Sequence, residues 1–138
     1  MPELFYFWPL GMAKKFTLHS KERLKRRKVI EQLFSEGKAV TVFPVRVQYK
    51  IYPEGLEGPA QAGFSASSRQ FKKAVDRNRI KRLMREAYRL QKLPLQEKLQ
   101  ANQKQLALFF IYTGKELPAY ALVYEKIGVA LNKLSSII

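Results

Sequence analysis

Cysteine is missing from all 138 residues, and histidine occurs once, as His19. Without thiols there is no disulfide and no thiolate zinc site, and the chain fits a reducing, intracellular setting. A lone imidazole without clustered carboxylates builds no common metal centre, so His19 is expected at the surface or as a cap. Acids are scarce as well, 11 against 26 Lys and Arg. Asp76 and Glu86 lie ten residues apart among arginines, where they compensate charge locally and do not form an acid–base pair. No serine or cysteine nucleophile is paired with His19, and neither GxxxxGK[ST] nor GxGxxG occurs. No catalytic side chain and no metal ligand is therefore expected on this chain.

Long hydrophobic runs are absent too. The N-terminal stretch LFYFWPLGM, residues 4–12, has nine residues, is broken by Pro9 and Gly11, and lacks a basic leader and a small-x-small cleavage site. It falls far short of the ~20 residues that span a bilayer. Residues 1–13 are expected to stand outside the fold, as a disordered arm or an extension preceding a start at Met12. The rest reads as a single domain with no repeat or linker.

What the chain has is positive charge. The formal net charge is +15, an excess that speaks of partners and points to a polyphosphate backbone. It is concentrated: residues 14–28 carry eight bases and one acid, residues 69–89 nine bases and two acids. Two such blocks read as two contact surfaces, or as two edges of one.

Ser20 is a candidate cap, and RLKRRKVIEQLFSEG, residues 23–37, reads as a helix closed by a left-handed Gly37. Its apolar residues Val29, Ile30, Leu33 and Phe34 share a face. VFPVRVQYKIY alternates, with Val45, Val47, Tyr49 and Ile51 on one side and Arg46, Gln48, Lys50 and Tyr52 on the other, as a half-buried strand does. AQAGFSAS, residues 60–67, reads as a second strand paired antiparallel to it, with a further strand near Val40. KKAVDRNRIKRLMREAYRL, residues 72–90, places Ile80, Leu83, Met84 and Ala87 on one helical stripe, with Arg82, Arg85 and Arg89 on the opposite flank. Pro94 is expected to stop this helix. LPLQEKLQANQKQ is a short helix or a loop. LALFFIY, residues 106–112, is a continuous apolar run expected as the central buried strand. A final amphipathic helix carries Tyr120, Val123, Tyr124, Ile127, Leu131 and Leu134. The sum is a two-layer α+β sandwich.

KKAVDRNRIKRLMREAYR resembles the RNR motif of the bacterial ribonuclease P protein subunit, through Ala74-Val75, Arg77-Asn78-Arg79, Lys81-Arg82 and Arg85-Glu86. FTLHSKERLKRRKVIEQLFSEGK resembles that family's opening helix, with Arg23-Leu24 and the ending Leu33, Phe34, Gly37. The likeness runs over about residues 14–135. Where the family has a basic pair, this chain reads Ser68-Arg69, with one basic residue. The resemblance implies an αβββαβα order, a ribosomal-protein-S5-domain-2-like fold and a left-handed βαβ crossover. It also implies a cytoplasmic protein cofactor of an RNA enzyme that removes the 5′ leader of precursor tRNA, with magnesium entering through the RNA. The implied partners are the catalytic ribonuclease P RNA and precursor tRNA, with no membrane, the protein being a monomer within the holoenzyme. Carried over, Arg69, Lys72, Lys73, Arg77, Asn78, Arg79, Lys81, Arg82 and Arg85 face the catalytic RNA. A leader-binding cleft would draw on Phe16, Phe34, Arg46, Gln48, Lys50 and Tyr52. The competing reading is a ribosomal or general RNA-binding protein of similar fold with no role in cleavage.

Overall fold

A computed structural model describes residues 20–138. The expectations for residues 1–13, Phe16 and His19 fall outside them.

Helix α1 (Arg27–Glu36) leads into strands β1 (Lys38–Val42), β2 (Val45–Tyr52) and β3 (Ala60–Ala66). Helices α2 (Ala74–Gln91) and α3 (Leu93–Ala101) follow, then β4 (Gln105–Tyr112) and α4 (Tyr120–Ile137). The sheet order is β1-β2-β4-β3, with β4 antiparallel to β2 and parallel to β3. The α+β sandwich and the strand near Val40 are thus as expected, and LPLQEKLQ is a helix.

The expected antiparallel pairing of β2 with β3 does not occur. β4 lies between them because its Leu106, Ala107, Leu108 and Phe110 have no exposed surface. Only a central strand covers both of its faces and pairs both of its edges. Residues 53–59 are therefore a loop that reaches across one strand and not a hairpin.

The main core lies between one sheet face and the helix layer. Val45, Val47, Leu108 and Phe110 meet Ile80, Met84, Ala87 and Tyr88 of α2, Leu95 and Leu99 of α3, and Val123, Ile127 and Leu134 of α4. Each buried Val, Leu, Ile, Phe or Met among them contributes about 1.5–3 kcal/mol. The second face carries a smaller cluster of Leu24, Val29, Leu33, Leu56 and Ala107 under α1.

Two local expectations also change. The first helix starts at Arg27, not Arg23, because the sheet edge claims the backbone before it. Leu24 donates its N–H to Ala62 O at 3.0 Å, and Arg23 bridges Ala62 in parallel. Arg23 and Lys25 thereby stay out of a first turn whose dipole would oppose their charge. Gly37 has φ −75°, so it is not left-handed. A Cβ there would lie 2.3 Å from Leu33 O and 2.8 Å from Tyr49 O, so close backbone approach is what requires glycine. α2 ends at Gln91, before Pro94 as expected, and Pro94 sits in the first turn of α3, where its missing N–H costs nothing. At the joint, Lys92 is 1% exposed and its Nζ donates to both carboxylate oxygens of Glu22 at 2.7 and 2.9 Å.

Candidate nucleic-acid interface

The arginine run is displayed by the same stripe that buries α2. Ile80, Met84, Ala87 and Tyr88 are fully buried with Leu83 packed beside them, so the opposite side of this 18-residue helix turns outward. Asn78, Arg79, Arg82 and Arg85 are exposed, with Arg69, Lys72 and Lys73 exposed on the approach from β3. Lys81 is half-buried at the border. The Arg85 guanidinium stands 5.8 Å from the Phe64 ring centre, a cation–π contact that steadies a surface cation.

Arg77 differs from its neighbours. It is half-buried, and its Nη1 donates to Phe71 O at 2.7 Å and Lys72 O at 2.9 Å. It holds the loop that feeds α2, where the flanking Lys73 makes no side-chain cap. Arg89 is also engaged, in an ion pair with Glu86 one turn earlier.

The second face of the sheet is covered by α1 at one end only. Register puts Arg46 beside Ile111 and Gln48 beside Phe109 on β4, with Gly63 and Ser65 of β3 next in the same rows. Phe34, 47% exposed at the end of α1, meets Phe109 edge-on at 5.2 Å. Gly63 leaves room for that ring, since a Cβ there would lie 2.7 Å from it. Gln48 is 7% exposed, and its Oε1 has no hydrogen-bond partner. A buried acceptor left open in this way costs free energy until a donor arrives.

Phe34, Arg46 and Gln48 therefore gather around one open surface. Lys50 and Tyr52 are instead tied to α1. Lys50 is bonded to Glu36, whose carboxylate raises the ammonium pKa. The Tyr52 hydroxyl donates to Gln32 Oε1 at 2.9 Å. Phe109 and Ile111 escape sequence reasoning as site residues because LALFFIY reads as buried on both faces. Only the register with Gln48 and Arg46, a nonlocal fact, reveals their open side. Among the described residues no group of His, Cys, Asp or Glu is placed to hold a metal ion.

Comparison with known proteins decides the family. A family model described as Ribonuclease P matches residues 18–133. The chain belongs to the ribonuclease P protein family. The ribonuclease P protein component of Porphyromonas gingivalis is 38% identical over 120 residues, covering 87% of this chain and 88% of that one. That of Chlorobium phaeobacteroides is 29% identical over 128 residues, covering 86% and 88%. In fold, the chain is similar to the Staphylococcus aureus RNase P protein at TM-score 0.66 and 18% identity, covering 82% of this chain and 94% of that one. Membership makes this chain the protein component of an endoribonuclease acting in tRNA 5′ processing, in which catalysis rests with RNA.

Proposed function

We propose that the two exposed surfaces divide the work of this ribonuclease P component. Helix α2 docks on the catalytic RNA through Asn78, Arg79, Arg82 and Arg85, with Arg69, Lys72 and Lys73 extending the surface. The open sheet face receives the single-stranded 5′ leader of precursor tRNA at Phe34, Arg46, Gln48 and Phe109. The observation that carries this reading is topological. The stripe of α2 and the stripe of α1 are buried on opposite faces of one sheet, so the two surfaces look in different directions. One protein can then hold the catalyst on one side and the substrate strand on the other.

The chemistry matches each task. Exposed guanidinium groups bind phosphate bidentately and without regard to sequence. The leader face offers aromatic rings for stacking, one cation and an unfilled acceptor, which suit unpaired bases. Magnesium enters with the RNA, the protein acts as a monomer within the holoenzyme, and the work is done in the cytoplasm. No helix of the described residues is long and apolar enough to cross a membrane.

The leader assignment is tested by the affinity of the reconstituted holoenzyme for precursor and for mature tRNA. Arg46→Gln with Gln48→Leu is expected to weaken precursor binding about tenfold, through one phosphate interaction and one hydrogen bond, and to leave mature tRNA unaffected. Equal weakening on both ligands would overturn the assignment.

A further inference from the structure

The described part of the first basic block, residues 21–28, is not absorbed by either surface. Arg23, Lys25 and Arg26 are all exposed, and they line a cleft beside the β3 edge together with Glu57 and Gln61. Gln61 is only 4% exposed. Its Nε2 donates to Lys21 O at 3.0 Å, while its Oε1 has no hydrogen-bond partner. The cleft thus presents three cations against one carboxylate, above a buried acceptor that lacks a donor. Its volume is about 170 Å³, below the ~300–1,000 Å³ of pockets that enclose a free small molecule. It has room for a group projecting from a longer chain. Arg26 also lines an adjoining groove of about 560 Å³ with Arg27, Lys28 and Tyr52, so a chain has somewhere to continue.

We propose that this cleft binds the backbone of an RNA strand, with phosphates on Arg23, Lys25 and Arg26 and a ribose 2′-hydroxyl donating to Gln61 Oε1. The cations alone suit any polyanion. The acceptor asks for a donor between the phosphates, and the 2′-hydroxyl is the donor that RNA has and DNA lacks. Arg26 is set for this because its Nη1 bonds Gly55 O at 3.1 Å, which fixes the guanidinium and leaves its other donors. Arg23 is fixed through its backbone bridge to Ala62, and the residue is exposed. The site rests on the reading of the chain as a ribonuclease P component only in taking RNA as the polyanion.

The test uses the full chain, a short oligouridylate and its 2′-deoxy counterpart, with affinity measured against salt. Arg23→Gln with Lys25→Gln changes only exposed side chains. It is expected to reduce the slope of log affinity on log salt by about 1.4 for the ribo-oligomer, about 0.7 for each phosphate that is no longer neutralised. Gln61→Met keeps the side-chain length and removes the acceptor. It is expected to lower ribo-oligomer affinity about fivefold and to leave the deoxy-oligomer unchanged. An unaltered slope in the double variant, or an equal drop on both oligomers in Gln61→Met, would overturn the proposal. An acidic peptide that competes while the slope for RNA stays unaltered would assign the cleft to protein instead. If the slope falls but the holoenzyme does not cleave precursor, the functional reading fails and the site stands. If cleavage proceeds and the slope does not fall, the site fails alone.

Discussion

Arg77 and Arg79 stand two positions apart in one motif and do different things. The Nη1 of Arg77 donates to Phe71 O and Lys72 O, while Arg79 is exposed to solvent. Side-chain identity alone does not show which arginine is held by backbone carbonyls and which is open to solvent; the surroundings do. The same holds for Gly37, whose φ is ordinary but whose missing Cβ lets Leu33 O and Tyr49 O approach. Gly37→Ala is expected to cost about 1–3 kcal/mol by forcing α1 away from β2, read as a lower urea midpoint at unchanged slope. Tyr88 makes the opposite case. Its hydroxyl is buried without a partner, and burial, reinforced by the Glu22 carboxylate, pushes its pKa well above the ordinary tyrosine value. An unfolded tyrosine releases its proton near pH 10 and the folded one keeps it, so this group's stabilisation is whole below about pH 10 and declines as pH rises. Tyr88→Phe is expected to be neutral to about 1 kcal/mol stabilising at pH 7, and to lose less stability than the parent above pH 10. Urea titrations at both pH values check this. A destabilisation above about 1 kcal/mol at pH 7 would show that the hydroxyl is satisfied.

Helix α2 is where sequence and structure agree most closely, because its signal is local. Ile80, Leu83, Met84 and Ala87 recur at helical spacing, and the stripe fixes which arginines turn outward without knowledge of the rest of the chain. Arg79→Glu with Arg82→Glu should therefore leave the stability within about 0.5 kcal/mol of the parent, as exposed substitutions do, while abolishing assembly with the catalytic RNA. Unfolding of the double variant would show that this helix face is structural. The open sheet face is legible only in part, and the reason is again physical. Alternation along β2 separates Arg46 and Gln48 from Val45 and Val47, which is local information. That β4 inserts beside β2 and brings Phe109 to Gln48 depends on a pairing 61 residues away in sequence. Likewise, the apolar spacing allows a helix beginning at Arg23, and it is the β3 edge that draws residues 23 and 24 out of it. Hydrogen bonds from Lys50 and Tyr52 to α1 are invisible in the sequence for the same reason.

At the scale of the whole molecule, the sheet sorts charge. A +15 chain without a partner repels itself, yet the exposed cations of α2 and those of residues 23–28 lie apart, and none of the large core is given to binding. The open sheet face, the α2 surface and the cleft at the β3 edge surround a core that would be complete without any of them. This arrangement suits a protein whose contribution is to hold RNA, and it fits a family in which the bond-breaking belongs to RNA. Screening an RNA's phosphates with a positively charged protein does part of what magnesium otherwise does, so the protein's effect should be greatest where the metal is scarce. The direct measurement is cleavage of precursor tRNA by a bacterial ribonuclease P RNA at low magnesium, with and without this protein. Release of the 5′ leader only when the protein is present is the predicted result; binding of the RNA with no gain in cleavage would contradict it.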